Sequence, residues 1–167
     1  MTDASAAPAA GRIRARLAEL GLELPAVAAP VAAYVPAVRS GDHVHTSGQL
    51  PFVAGALPAT GKVGAEVTPE RAAELAEVCC LNALAAIEDL VGDLDQVVRV
   101  VKLTGYVSSD PAFTGQPTVI NGASTLLGEV FGEAGAHARS AVGVAVLPLD
   151  SPVELDLQVE VSAPTAR

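Results

Sequence analysis

The run Val153–Val161 constrains the fold more than any other part of the sequence, because apolar and polar residues alternate along it without a break. The apolar residues are Val153, Leu155, Leu157, Val159 and Val161, and the polar residues are Glu154, Asp156, Gln158 and Glu160. A period of two is typical of a β-strand that buries one face and keeps the other polar. The fold therefore contains a sheet with two chemically different faces, one of which packs against other elements.

The clearest helix follows Thr68. Threonine is a favoured N-cap, Pro69 fits the first helical position, and Gly92 is typical of a helix end, so the sequence predicts a helix over 69–91. Its middle is apolar nearly all round except for Asn82, as expected of a helix that packs on a sheet and is covered on a second side. A second helix is predicted over 118–131, and a short amphipathic helix over 12–20 precedes them.

Four further strands are predicted, over 34–39, 43–47, 97–107 and 140–147. The third of these is expected to alternate, with residues 98, 100, 102 and 104 on one face. The order of elements is then α-β-β-α-β-α-β-β, which indicates an α+β fold with two main helices on one face of the sheet. We expect a disordered tail at 1–11, an N-terminal helix and linker at 12–30, and a single domain at 31–163.

Charge and hydropathy exclude several classes of protein. The chain carries 19 acidic and 10 basic residues, so its net charge of −9 disfavours binding to nucleic acid. No apolar run is long enough and free enough of charge to predict a membrane span. The first residues are acidic where a signal peptide is basic, and the only two cysteines, Cys79 and Cys80, are adjacent. We therefore expect no export, a cytoplasmic location, and cysteines that serve as small buried hydrophobic residues.

The chain is also unusually apolar for a protein of its size. Charged residues make up 17% of the sequence, against about 25% in a typical domain. The mean hydropathy is +0.41. Both values suggest that part of the surface is covered by another copy of the chain, and we expect a homo-oligomer.

Few residues of the sequence are clear candidates for a catalytic or ligand-binding role. Arg139 opens an apolar strand, where an arginine usually needs a carboxylate. That carboxylate is either internal, from Glu154 or Asp156, or belongs to a ligand, and the residues alone leave both readings open. His43 and His45 lie two apart on one strand face, but no further ligand completes a metal set, so a polar strand face is the favoured interpretation.

Two segments resemble signatures of the YjgF/RidA family of reactive-intermediate deaminases. The first is VHTSGQLP, from Val44 to Pro51, and the second is RSAVGVAVLP from Arg139 to Pro148, followed by VELD from Val153. Tyr34, the triplet VIN ending at Asn121, and the turn GDLDQV at residues 92–97 fall in matching order. The resemblance covers residues 32–161.

This resemblance implies a chorismate-mutase-like fold and a homotrimer with sites at the subunit interfaces. It also implies hydrolysis of 2-imino and enamine acids to 2-keto acids and ammonia without a cofactor or metal. In that family pattern Arg139 holds the substrate carboxylate and Glu154 orients the attacking water. Gly48 and Ala141 match positions that offer backbone groups to the ligand. Tyr34, from the neighbouring subunit, and Asn121 match residues that line the pocket.

The sequence departs from the compact deaminases in ways that bear on activity. It has an additional N-terminal helix, a longer loop at 52–63 and an insertion near 110–117, and Tyr34 is followed by Val-Pro. An alternative to the deaminase is a trimer that binds keto acids without turnover. A ribonuclease, which the family's endoribonuclease label suggests, is disfavoured by the acidic charge, and a mutase would rest on fold analogy alone.

Overall fold

A five-stranded mixed sheet forms one layer of the protein. The computed structural model describes residues 11–27 and 33–163 of the chain. The strands are β1 (Ala37–Ser40), β2 (His43–Thr46), β3 (Val97–Ser108), β4 (Ala138–Val144) and β5 (Val153–Val161). Their spatial order is β1-β2-β5-β3-β4, and every neighbouring pair is antiparallel except β3 and β4, which are parallel.

The helices form the second layer. They are α1 (Arg12–Glu19), α2 (Pro69–Val91) and α3 (Gln116–Phe131). The hydroxyl of Thr68 accepts the N–H of Arg71 at 3.2 Å, and Gly92 ends the helix with φ of 87°, so the predicted bounds of α2 are confirmed. Helices α2 and α3 pack against each other and against one face of the sheet, which confirms the predicted α+β architecture. Among the described residues, no helix is both long and apolar enough to cross a membrane.

The alternation along β5 divides the sheet as predicted. Its five apolar residues are 0–1% exposed and face the helices, whereas its four polar residues are half-buried on the opposite face. His43 and His45 of β2 pair with Glu160 and Gln158, so they share this polar face. Cys79 and Cys80 lie in the core of α2, and burial raises the pKa of both thiols, which fits their expected role as small buried residues.

Helix α1 is fastened to the body of the protein at its first turn. Both carboxylate oxygens of Asp95 accept backbone N–H groups, from Arg12 and Ile13, each at 2.7 Å. A carboxylate at this position satisfies helix N–H groups that have no partner within the helix. The side chains of Ile13 and Leu17 are buried in the main core.

Three predictions need correction. The alternation predicted for β3 is wrong, because register shifts after Val97 and Val100 insert irregularities that leave both Val98 and Arg99 exposed. The first strand begins at Ala37 rather than at residue 34, and α3 begins at Gln116 with Pro117 in its first turn. Of the predicted tail at 1–11, only Gly11 is among the described residues. Residues 28–30 of the predicted linker also lie outside them.

The contact between α2 and α3 depends on Gly122. A Cβ at this position would overlap the backbone carbonyl of Ala73. We therefore predict that Gly122→Ala destabilises the fold by about 1–3 kcal/mol, because the two helices must move apart.

Gly128 of the same helix provides the matched control, because a Cβ there meets no atom within 4 Å. Gly128→Ala should stabilise the protein by about 0.5–1 kcal/mol through helix propensity. Urea unfolding at a fixed protein concentration measures both changes. Equal effects of the two substitutions would contradict this account of the helix contact.

Candidate functional site

Arg139 lies at the start of β4, under helix α3. Its register partner on β3 is Leu103, which is fully buried beneath the helices, so the arginine side chain emerges on the helix-covered face. The Nη1 group donates to Asn121 Oδ1 at 2.7 Å and to Ser124 Oγ at 3.2 Å. The ion pairs of the described residues do not include Arg139. The internal salt bridge to Glu154 or Asp156 is therefore wrong for a single chain.

The guanidinium group keeps one edge available. A guanidinium has five N–H groups, of which Nη1 carries two, and both now have an acceptor. The Nε and Nη2 groups of Arg139 have no partner among residues 11–27 and 33–163. These two nitrogens form the side of the fork that binds a carboxylate with two parallel hydrogen bonds.

Two residues that were not predicted from the sequence, Ser124 and His137, extend the hydrogen bonding of Arg139. Ser124 Oγ lies 3.0 Å from His137 Nε2, and His137 Nδ1 lies 2.6 Å from the carbonyl oxygen of Gly135. The available signal was their spacing: Ser124 is one helical turn after Asn121, and His137 is two residues before Arg139. Both spacings place the side chains on the same side as their functional neighbours.

Glu154 and Gly48 form a second cluster. The Glu154 carboxylate lies so close to the Cα of Gly48 that a Cβ there would overlap Oε1. Backbone bonds between Gln49 and Leu155, at 2.7 and 3.2 Å, hold the two segments together. The absence of a side chain at Gly48 lets the Glu154 carboxylate take this position, and the two candidate residues lie side by side.

The environment of Glu154 favours its protonated form. Burial first, and then the negative charge of Asp156, raise the pKa of this carboxyl group above its usual value. Tyr106 lies beside it on β3 and donates its hydroxyl to Asp156 Oδ2 at 3.2 Å. Burial and the neighbouring carboxylates also raise the pKa of Tyr106. A carboxyl group with a raised pKa is suited to proton transfer near neutral pH.

The remaining two predicted residues are Tyr34, which lies near Gly48, and Ala141, which lies near Arg139. The segment after Tyr34 runs beside Gly48, because Ser47 donates its N–H to the carbonyl of Pro36 at 2.8 Å and its hydroxyl to that of Val35 at 2.6 Å. The Tyr34 side chain is 53% exposed. Ala141 lies two residues after Arg139, on the same face of β4, and its methyl group packs against the core.

The two clusters lie on opposite faces of the sheet. Glu154 pairs with Tyr106 on the polar face, whereas Arg139 pairs with Leu103 on the helix-covered face, and β3 separates their strands. Within one chain the six candidate residues therefore form two separate groups: Tyr34, Gly48 and Glu154 in one, and Asn121, Arg139 and Ala141 in the other. Within the described residues, no group of three His, Cys, Asp or Glu side chains could hold a metal ion.

Comparison with known proteins identifies the family. Residues 14–161 match the model of the YjgF/chorismate mutase-like endoribonuclease family. This match spans most of the chain, including every described helix and strand except the first residues of α1. The chain belongs to this family, which confirms the resemblance of its two motifs.

Individual relatives cover nearly the whole chain. Protein TCP17 of Trypanosoma cruzi is 48% identical over 157 residues, which span 92% of this chain and 97% of TCP17. The crystal structure of Atu1372 from Agrobacterium tumefaciens, a protein of unknown function, is 47% identical, with a TM-score of 0.84 over 90% of this chain and 93% of that chain. RidA from an Antarctic Psychrobacter species is 27% identical, with a TM-score of 0.57 over 81% of this chain and 94% of its own.

The raised pKa of Glu154 predicts a specific dependence of stability on pH. A folded pKa above the unfolded pKa means that the folded state binds more protons between the two values, so stability falls as pH rises through that window. We predict that Glu154→Gln raises the melting temperature at pH 7. The gain should vanish below the pKa of an unfolded glutamate, about 4.3.

Thermal unfolding of wild type and variant between pH 3.5 and 8 checks this prediction. Glu160→Gln, on the same strand and face but away from Gly48 and Asp156, is the control for removal of a carboxylate. A Glu154→Gln variant that is less stable than wild type at pH 7 would contradict the assigned environment.

Proposed function

We propose that this protein hydrolyses 2-imino and enamine acids to 2-keto acids and ammonia, in a homotrimer whose sites combine residues from two copies. The observation that carries the proposal is the open Nε and Nη2 edge of Arg139, held in place by Asn121 on the opposite side of the guanidinium group. This edge fits the carboxylate of a small organic acid. The reaction itself is the one implied by the resemblance of the two motifs to the YjgF/RidA family, and RidA is among the structural relatives.

The proposed reaction needs a held carboxylate and one group that moves protons. Arg139 binds the substrate carboxylate bidentately, a contact between charged groups that contributes about 1.5–3 kcal/mol. Glu154 takes a proton from water as the oxygen attacks the imine carbon, and its raised pKa allows it to return that proton to nitrogen. The hydroxyl proton of the tetrahedral intermediate then passes to nitrogen, the C–N bond breaks as the C=O bond forms, and ammonia leaves the keto acid. Water and proton transfer suffice for this step, so the proposal requires no cofactor.

The assembly follows from the separation of the two half-sites. Because Arg139 and Glu154 emerge on opposite faces of one sheet, a complete site requires the Arg139 side of one copy to meet the Glu154 side of another. Such an interface joins two different surfaces, and the proposed trimer is the case in which the rotation between copies closes into a ring. Exposed apolar residues occur at both edge strands, which fits an apolar interface: Val38 lies in β1 with Tyr34 and Val35 before it, and Val142 lies in β4 with Val146 and Leu149 after it.

A second candidate is a trimer that binds keto acids without turnover. The same edge of Arg139 supports it, since this edge binds the carboxylate of a product as readily as that of a substrate. The two candidates differ only in whether Glu154 activates water. Both predict that 2-ketobutyrate raises the melting temperature through Arg139.

We predict that the purified protein accelerates keto-acid release from imines generated in place by an amino-acid oxidase. Arg139→Lys should lower this acceleration about 10- to 100-fold, because lysine keeps the charge but loses the two parallel hydrogen bonds. The rate of semicarbazone formation from the imine, which falls as hydrolysis competes, measures the effect.

Arg71→Lys is the matched control, because Arg71 is an exposed arginine on α2 that pairs with Glu74. It should retain wild-type activity. Acceleration that is absent in wild type, with a melting temperature that still rises with 2-ketobutyrate, would replace the deaminase by the binding trimer. Full acceleration in Arg139→Lys would contradict the deaminase, and a rise in melting temperature with 2-ketobutyrate that is equal in Arg139→Lys and wild type would contradict both candidates.

A further inference from the structure

A continuous chain of hydrogen bonds runs from Arg139 to the backbone at Gly135. Arg139 Nη1 donates to Ser124 Oγ at 3.2 Å, Ser124 Oγ lies 3.0 Å from His137 Nε2, and His137 Nδ1 lies 2.6 Å from the carbonyl oxygen of Gly135. These side chains come from α3, from the residue just before β4 and from β4 itself. This series of hydrogen bonds therefore connects α3, the 3-10 turn Gly132–Gly135 and β4 next to the guanidinium group.

The chemistry of the two ends determines the direction of the two outer bonds, and a neutral imidazole determines the direction of the middle one. An arginine only donates and a backbone carbonyl only accepts, so Ser124 receives a hydrogen from Arg139, and His137 carries its hydrogen on Nδ1. The Nε2 atom of the neutral imidazole is then an acceptor, and it takes the hydroxyl hydrogen of Ser124. The lone pairs of Ser124 Oγ are left facing Arg139.

The last acceptor in this series of hydrogen bonds, the carbonyl of Gly135, is held in place by packing. Gly135 is buried in the short 3-10 turn Gly132–Gly135, where a Cβ would overlap the carbonyl oxygen of Leu127 on α3. The turn is therefore packed directly on the helix that also carries Ser124. This packing fixes the carbonyl that orients His137.

We infer that His137 is a positioning residue that acts through Ser124 to hold the Arg139 fork with its Nε and Nη2 edge turned toward the substrate carboxylate. The inference rests on the proposed function for the identity of that carboxylate. Without an acceptor at His137, a serine inside a helix turns its hydroxyl toward the carbonyl four residues earlier, here that of Ile120. The second Nη1 hydrogen then loses its partner, and Asn121 alone no longer fixes the rotation of the guanidinium group.

A double-mutant cycle tests this dependence, with calorimetric binding of 2-ketobutyrate as the readout. Ser124→Ala and His137→Leu should each weaken binding about 3- to 10-fold. Because His137 acts only through Ser124, the double variant should bind as Ser124→Ala does. His137→Gln, which keeps an acceptor near the position of Nε2, should restore binding to within about twofold of wild type.

Thr125→Ala is the matched control, since it removes an exposed hydroxyl from the neighbouring position of α3. It should leave binding unchanged. Additive effects of Ser124→Ala and His137→Leu would overturn the inference, because they would show that His137 acts independently of the serine. So would a His137→Gln variant that binds as weakly as His137→Leu.

A second readout needs no ligand. In nuclear magnetic resonance spectra of the full-length protein, His137 should show the Nδ1–H tautomer, and rotation of the Arg139 guanidinium group should be faster in Ser124→Ala and His137→Leu than in wild type. An Nε2–H tautomer, or rotation that is equal in all three proteins, would overturn the inference. A protein that shows these spectra but does not accelerate imine hydrolysis would refute the deaminase and leave the positioning role of His137 standing.

Discussion

The separation of the two sheet faces along β5 is the constraint on which the rest of this structure depends. Its apolar residues are buried beneath α2 and α3, so the residues between them must emerge on the other side. Glu154 is one of these, and the parallel pairing of β3 with β4 places Arg139 on the helix side. The alternation that builds the core thus also keeps the two candidate residues, Arg139 and Glu154, on opposite faces of the sheet within one chain.

A different kind of interaction determines the local environment of Arg139 and of Glu154. On the helix side, hydrogen bonds from Asn121 and Ser124 occupy one end of the Arg139 guanidinium group and leave the other end open. On the polar side, burial and the charge of Asp156 raise the pKa of Glu154, whose carboxylate lies against Gly48. The first arrangement suits binding of an anion, and the second suits proton transfer at a cost in folding stability.

The features that could be predicted from the sequence are those that depend on residues close together in the chain. Thr68 and Gly92 gave the bounds of α2, strict alternation gave β5, and the two motifs gave the family. The irregular register of β3 was missed, because insertions in a ladder are decided by pairing with β5 rather than by the strand's own residues. Ser124 and His137 were missed because their hydrogen bonds join elements that are distant in sequence and come together only in the fold.

Family membership and the fold therefore leave one central question, whether two copies of the chain complete each site. Mixing Arg139→Ala with Glu154→Gln, through co-expression with two affinity tags, tests it most directly. In a ring of three in which each site takes Arg139 from one copy and Glu154 from the next, every mixed trimer has one intact site of three, so mixed trimers purified through both tags should recover about a third of wild-type activity. Mixed trimers that are no more active than the two parent variants would contradict the shared site.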